Sequence, residues 1–335
     1  MAEENTLVSI VTPNFNMAEF LEETILSVLN QDYLHIEYIV IDGGSTDGSI
    51  DVIRKYEDRI TYWVSEKDSG AAEAINKGWR RSTGELLWML PSDDVLPPGS
   101  ISSTVKYLHE NPDIDFVYGD CYVIDAESRV LAVEHYGDFN LLRFITGLGI
   151  TGPDSRQPCM QGCLMRRRIL QEVGYLDETL YRGNDLDYCI RIGLYHRFGY
   201  LPEPLGCMRA HQGSPTFSGA LGHIFGRDII RIYHKLYSRL DLPQELAQIR
   251  RKAWAGAHHA SAGSYFRCNH SRRVLEHLLL AGRLDPSRLF MWSFIRLFLT
   301  ALLGDTGMRI ARLMYRRIRP DFTGGRFSPP PASRG

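Results

Sequence analysis

Ile36-Glu37-Tyr38-Ile39-Val40-Ile41, running into Asp42-Gly43-Gly44-Ser45-Thr46-Asp47-Gly48, is the stretch on which the fold turns. Its first six residues are rich in β-branched side chains and read as a buried strand. The glycines that follow let the backbone turn tightly and approach a ligand. Ser45 or Thr46 is placed to cap a helix expected near 49–56. A dinucleotide-binding turn needs G-x-G-x-x-G, and this stretch does not match it.

The same unit of strand, polar turn and helix recurs on both sides. Leu7-Val8-Ser9-Ile10-Val11 reads as a strand stopped by Pro13, and Phe20, Leu21, Thr24, Ile25, Val28 and Leu29 then fall on one helix face. A strand at 60–64 precedes a helix at 71–81. Leu86-Leu87-Trp88-Met89-Leu90 is a fourth strand, ending at Pro91-Ser92-Asp93-Asp94. This alternation predicts an α/β fold with a parallel sheet and helices on both faces, in which ligands bind beyond the carboxyl ends of the strands. From 116 to 211 the pattern is less regular, with strand-like runs at 116–124 and 130–133 and a helix at 187–194. Beyond about 222 it is helical, and 253–285 reads as a helical hairpin with small residues at the crossing.

The 335 residues, 44% of them hydrophobic, suffice for one large domain or one domain plus an appendage. A formal net charge of −2 gives no electrostatic footprint for nucleic acid. Six scattered cysteines show no zinc-knuckle spacing and read as reduced thiols of a cytosolic protein. The acidic start, Met1-Ala2-Glu3-Glu4, lacks a signal-peptide core, and no run reaches the roughly 18–20 apolar residues that span a bilayer.

The polar clusters lie after predicted strands or in long connections. Thr12-Pro13-Asn14-Phe15-Asn16 offers an aromatic and two amides, which suits a flat base and its polar edge; the plain alternative is a proline turn. Asp42 at a strand tip can accept a hydrogen bond from a base ring N–H. Asp68 of Glu66-Lys67-Asp68-Ser69-Gly70 is placed to meet the same ligand, or to cap the next helix. Asp93 and Asp94 are adjacent carboxylates that repel each other unless a divalent cation is shared, and oxygen ligands suit Mg²⁺ or Mn²⁺ bridging to a diphosphate. In Gly183-Asn184-Asp185-Leu186-Asp187 a carboxylate at a helix start can act as general base, while Asp187 and Arg191 are spaced to pair. His211 can bring an imidazole to the metal or diphosphate, although a lone histidine is more often structural.

In this order the pieces resemble family 2 glycosyltransferases, inverting enzymes with the GT-A fold. The matching residues are Val11-Thr12-Pro13-Asn14-Phe15-Asn16, Asp42-Gly43-Gly44-Ser45-Thr46-Asp47-Gly48, Asp68-Ser69-Gly70 with Asn76-Lys77-Gly78, Ser92-Asp93-Asp94, Gln157-Pro158, and Asn184-Asp185 with Arg209-Ala210-His211. The resemblance spans about 7–215. It implies a Rossmann-like mixed sheet flanked by helices, with a catalytic domain at 1–220 (nucleotide half about 7–120, acceptor half about 120–220), and the pattern and composition beyond it add a helical region at 221–320 and a disordered tail at 321–335. It further implies that Thr12, Pro13, Phe15, Asp42, Gly44, Asp68, Asn76 and Asp93 bind the nucleotide-sugar, that Asp94 and His211 hold Mg²⁺ or Mn²⁺, and that Asp185 is the catalytic base. The family often has Glu-Asp where Asn184-Asp185 stands, and the Gln-x-x-Arg-Trp motif of processive synthases is absent.

The implied reaction is one in-line displacement at the anomeric carbon, from a UDP-sugar by default, onto a saccharide or lipid-linked saccharide of a cell-surface polysaccharide. Two alternatives are weighed. A sugar nucleotidyltransferase is expected to carry a basic glycine-rich loop near 7–16, which is missing, and a non-catalytic nucleotide-sugar-binding protein has no need of Asp185. In the C-terminal part, Leu289-Phe290-Met291-Trp292 and the run 294–303, followed by Arg309, Arg312, Arg316, Arg317 and Arg319, have the composition of a helix lying on anionic lipid. That reading makes the protein cytoplasmic and peripheral on the inner face of the cell membrane. Packing on the catalytic domain or on a second copy of the chain is the other expectation.

Overall fold

The computed structural model describes residues 5–147, 157–211 and 221–318. Its first half is β1 (Val8–Asn14), α1 (Ala18–Leu29), β2 (Ile36–Asp42), α2 (Ser49–Lys55), β3 (Tyr62–Ser65), α3 (Ala71–Arg81), β4 (Leu86–Met89) and α4 (Ser100–Glu110). There follow β5 (Phe116–Ile124), β6 (Val130–Glu134), α5 (Leu141–Gly147), β7 (Cys163–Arg166), α6 (Arg168–Val173), α7 (Asn184–Gly193) and β8 (Phe198–Arg209). The helical remainder is α8 (Gly222–Tyr237), α9 (Gln244–Gln248), α10 (Arg250–Arg267), α11 (Ser271–Leu284), α12 (Trp292–Leu302) and α13 (Gly304–Ile318).

One sheet runs β3-β2-β1-β4-β7-β5-β6, with β8 on the other edge of β5. The first four strands are parallel, so their carboxyl ends, and the loops carrying Asn14, Asp42, Ser65 and Asp93, emerge on one side. Beyond β4 the sheet is mixed: β7 is antiparallel to β4 and β5, while β8 is parallel to β5. The purely parallel sheet read from the alternation therefore holds for the first half only, and the GT-A resemblance is right about the whole.

Period-two alternation builds both cores. Val11, Ile39, Ile41 and Leu87 point to one face and join Trp79 of α3, while Val8, Ile10, Tyr38, Val40, Leu86 and Trp88 point to the other and meet α1 and α4. The first core continues past residue 220 into α8 through Ile229, Ile232 and Tyr233, and into α10 through Ala253 and Ala257. At the α10–α5 crossing Gly256 is required, since an added Cβ would sit 2.7 Å from the Thr146 carbonyl oxygen. The expected hairpin is α10–α11, and it forms a third core with Phe294, Leu297 and Ala301 of α12.

Three local expectations are corrected. β1 does not stop at Pro13 but runs through it, with Pro13 in register with Ile41. Val11 and its alternate neighbours face β4, whose pairing ends at Val11–Met89, so the missing N–H of Pro13 costs the ladder nothing. α7 begins at Asn184 rather than 187. α2 is not capped by Ser45 or Thr46; it starts after Gly48, whose φ of 99° only glycine adopts cheaply. Among the described residues no helix is long and apolar enough to cross a membrane. The expectations for 212–215 and for the tail at 321–335 lie outside the described residues.

Candidate active site

The loops after β1, β2 and β3 are knitted together by Asp42. This carboxylate is fully buried. Its Oδ1 accepts hydrogen bonds from Asn14 Nδ2 (2.7 Å) and Ser45 Oγ (2.5 Å). Its Oδ2 accepts from the Gly44 and Ser45 N–H groups (3.1 and 2.9 Å) and Ser65 Oγ (2.6 Å). Burial alone would raise its pKa, but the donors from Ser45, Ser65 and Asn14 outweigh that and hold it below the usual carboxylate range. Asp42 thus organises the loop, where the sequence suggested an acceptor open to a base. Gly44 takes a φ of 83°, and Gly43 lies flat against Asp68: an added Cβ there would sit 2.9 Å from Asp68 Oδ2. Asp68 itself accepts the Gly70 N–H at 2.9 Å, and burial raises its pKa. Phe15 projects from the β1 loop with 58% of its surface exposed. Pro13 is partly buried beside it.

Two expected ligand-binding residues are committed elsewhere. Thr12 is buried in the sheet, its hydroxyl 3.1 Å from the Tyr38 hydroxyl. Asn76 spends its amide on the loop before α7: Nδ2 donates to the Leu176 carbonyl and to Glu178, and Oδ1 accepts the Leu176 N–H. A side chain so satisfied has no polar group left for a donor.

Asp93 and Asp94 sit where β4, α1 and the end of β8 meet. Thr24 Oγ1 donates to the Ser92 and Asp94 carbonyls, fixing the turn to α1. Asp94 is buried, and its Oδ1 accepts the Arg209 N–H at 2.8 Å. Burial, and then the charge of Asp93, push its pKa well above the carboxylate range. His211 Nε2 lies 3.1 Å from Asp93 Oδ2. Arg209 is the keystone. Fully buried, it stacks on Phe20, donates to the carbonyls of Asp93, Asp125 and Ala126, and pairs with Glu23 at 2.6 Å.

Among the described residues no three histidine, cysteine or acidic side chains close on one point as a metal cage. The site nonetheless fits a hard divalent cation. Asp93, Asp94 and His211 offer oxygen and imidazole donors, and Mg²⁺-type ions are commonly held by one or two carboxylates with substrate phosphates completing the shell. A cation would also relieve the repulsion that burdens the buried Asp94.

Asp185 opens α7. Its Oδ2 accepts from Gln157 Nε2 at 2.7 Å, and its Oδ1 accepts the Leu186 N–H at 2.7 Å. Burial raises its pKa against the pull of Gln157, the Leu186 N–H and Arg182. Asp187 is different: it is buried and ion-paired with Arg191 (2.7 Å) and Lys235 (2.9 Å), so it is a packing element. The residues 157–162 tie the two centres together. Gln157 donates to Asp185, while Gln161 lends its carbonyl to Trp88 Nε1 and its side chain draws the Asp94 pKa downward. Gln161 and Tyr181, which stands over Gly70, are absent from the sequence reading, and Arg209 enters it only within its motif, because only tertiary contacts reveal what they hold.

The description "Glycosyl transferase family 2" matches residues 9–174. The glycosyltransferase TuaG of Bacillus subtilis, provisionally assigned to teichuronic acid biosynthesis, is 36% identical over 113 residues, 33% of this chain and 45% of that protein. The uncharacterized glycosyltransferase RP339 of Rickettsia prowazekii is 31% identical over 222 residues, 63% of this chain and 66% of the relative. The chain thus spans less than half of TuaG, and only 31% of a Rickettsia conorii relative that is 33% identical over 193 residues. In fold the chain is similar to the mannosyltransferase PcManGT of Pyrobaculum calidifontis, solved with GDP-Man and Mn²⁺ (TM-score 0.56, 16% identity, covering 95% of this chain and 88% of that one). It is also similar to S. aureus TarS 1-349 in complex with UDP-GlcNAc (TM-score 0.53, 16% identity, 92% of each chain). The family-model match and these sequence relatives show that the chain belongs to glycosyltransferase family 2, and the solved structures share its fold.

Proposed function

We propose that the chain transfers a sugar from a nucleotide-sugar donor, a UDP-sugar by preference, onto a saccharide or lipid-linked saccharide, with inversion, in the synthesis of a cell-surface polysaccharide. The observation that carries this reading is the Asp185 carboxylate at the start of α7, held at 2.7 Å by Gln157 Nε2. Gln157 opens the short segment whose Gln161 draws the Asp94 pKa downward, which supports reading a proton acceptor and a cation-seeking carboxylate as one site. Phe15, beside Pro13, offers the base an exposed ring, and Asp68 and Asp93 bound the sugar-nucleotide path, with Gly44 allowing close approach. Asp185 takes the acceptor hydroxyl proton while Gln157 fixes the carboxylate's orientation. Asp94 and His211 would hold a divalent ion, Mn²⁺ or Mg²⁺, which would supply positive charge to stabilise the departing diphosphate. One displacement inverts the anomeric carbon. The provisional assignment of TuaG supports the polysaccharide context, and the nucleotide-sugars bound by PcManGT and TarS support the donor class.

The same reading puts the protein at the inner face of the cytoplasmic membrane. α12 buries Phe294, Leu297 and Ala301, yet exposes Trp292, Leu299 and Leu303 on its opposite face. A helix apolar on both sides with one side uncovered marks an interaction surface. Exposed Arg283 and Arg309, with the arginine-rich sequence that follows, favour anionic lipid over a second copy of the chain.

A thermal-shift screen of UDP, GDP and TDP with Mn²⁺, followed by donor turnover with and without chelator, tests the catalytic reading. A rise in melting temperature with UDP and Mn²⁺, and turnover that stops in chelator, are expected. No shift with any nucleotide, or turnover indifferent to chelator, contradicts it. Flotation with anionic liposomes at low salt tests the surface, and protein that stays unbound contradicts it.

A further inference from the structure

One face of α8 is devoted to the loop that carries the proposed base. Asp228, Arg231, Ile232 and Lys235 recur at i, i+3, i+4 and i+7, a single helical stripe. Asp228 is 1% exposed, and its Oδ2 accepts the Arg182 N–H at 2.9 Å. Its Oδ1 has no hydrogen-bond partner and faces Arg231 at 3.7 Å. Arg231 also donates to the Thr179 carbonyl (2.9 Å) and hydroxyl (3.1 Å). Lys235 bridges Asp177 (2.6 Å) and Asp187 (2.9 Å). Gly183 lies against this stripe so closely that an added Cβ would meet Ile232 Cδ1 at 2.9 Å and Asp228 Cβ at 3.1 Å. Its φ of −114° is ordinary, so glycine is needed there for room.

The bonds that leave the stripe end on residues 177–187, and Asp185 lies between the points fixed at 182 and 187. Burying a carboxylate is costly unless it is paired. Asp228 is buried where its one hydrogen bond holds the backbone three residues before Asp185. We propose that Asp228 is a positioning residue: through the Arg182 N–H it sets the launch of α7 and so the aim of the Asp185 carboxylate. The helical region thereby completes the active site from behind. This rests on reading Asp185 as the base. Arg182 contributes on the loop side, since its guanidinium lies among Asp185, Tyr181 and Asp228 and draws the Asp185 pKa downward.

The test compares Asp228→Ala, Asp228→Asn, Asp185→Asn and the Asp185→Asn/Asp228→Ala double variant. The readouts are kcat and KM for the UDP-, GDP- or TDP-hexose giving the largest thermal shift, and amide exchange across 182–187. Asp228→Ala is expected to lower kcat roughly 10- to 100-fold, as a misplaced catalytic group does, with donor KM within about twofold. Asp228→Asn keeps an oxygen for the Arg182 N–H and is expected to restore most of the rate. In the Asp185→Asn background Asp228→Ala should cost nothing more, because both act through one group. Exchange at 182–187 should quicken in Asp228→Ala while the melting temperature of the Asn variant stays near wild type. A folded Asp228→Ala with unchanged kcat, equal loss in the Ala and Asn variants, or an additive loss in the double variant overturns the proposal. If Asp185→Asn is fully active, the base reading falls instead. Exchange then judges the cradle alone: quickened amides uphold it and unchanged amides overturn it.

Discussion

The β2 loop and the α7 loop each present a carboxylate at the carboxyl side of the sheet, yet they are held in opposite ways. Asp42 is fixed by donors from Asn14, Gly44, Ser45 and Ser65, strand-end residues on adjoining parallel strands. Asp185 accepts from Gln157 and the Leu186 N–H only, and its loop is fastened from outside by α3 through Asn76 and by α8 through Asp228, Arg231 and Lys235. A group locked by local hydrogen bonds is a scaffold. One whose backbone is clamped while its carboxylate meets few donors is free to exchange a proton. The comparison teaches that the nucleotide side is built by turn chemistry and the base side by tertiary docking.

The contrast breaks most visibly at Asp94. Asp94→Asn is expected to lower donor turnover by roughly 100- to 1000-fold, the scale of losing one group that stabilises leaving-group charge, with the fold intact. Turnover assays with circular dichroism check this, and a variant of near-normal rate would remove Asp94 from the cation site. Gly183→Ala sharpens the docking side. Crowding Ile232 and Asp228 should cost about 1–3 kcal/mol in denaturant unfolding and slow turnover while leaving UDP binding unchanged. The effect most remote from the site lies in the C-terminal helices. His259 is buried, with Nδ1 3.3 Å from Arg288 and Nε2 unpartnered, and burial followed by the charge of Arg288 lowers its pKa to about 4. The fold prefers it neutral. Its contribution is therefore complete above about pH 6.5 and is lost as pH falls from there toward 4, by roughly 3 kcal/mol at most. Unfolding curves at pH 7, 5.5 and 4.5 measure this, and His259→Gln should flatten the dependence.

The sheet was legible wherever pattern and turn coincide. β5 and α3 match their expected spans, and β2 runs one residue further, because period-two or helical apolar spacing meets Gly, Pro or Asp at the ends. Asp94 and Asp185 stood out in the sequence as carboxylates at a strand end and a helix start, where a solvated turn or a helix cap was the plain alternative. Asn76 was misread because its partners, Leu176 and Glu178, lie about a hundred residues away. The stripe on α8 was invisible, since charges at helical spacing look like a solvated face until the opposing loop is folded against them. Arg209 was legible only as part of a motif, since its burial depends on four segments meeting.

The central claim is that Asp185 acts in the chemical step while the nucleotide-binding side is complete without it. Donor turnover and the Mn²⁺-dependent thermal shift by UDP should be measured side by side on wild type and Asp185→Asn. The account predicts a fall in kcat of roughly 100-fold or more with the thermal shift retained. Asp185→Asn turning over at the wild-type rate, with Asp187→Asn inactive though folded, would contradict it.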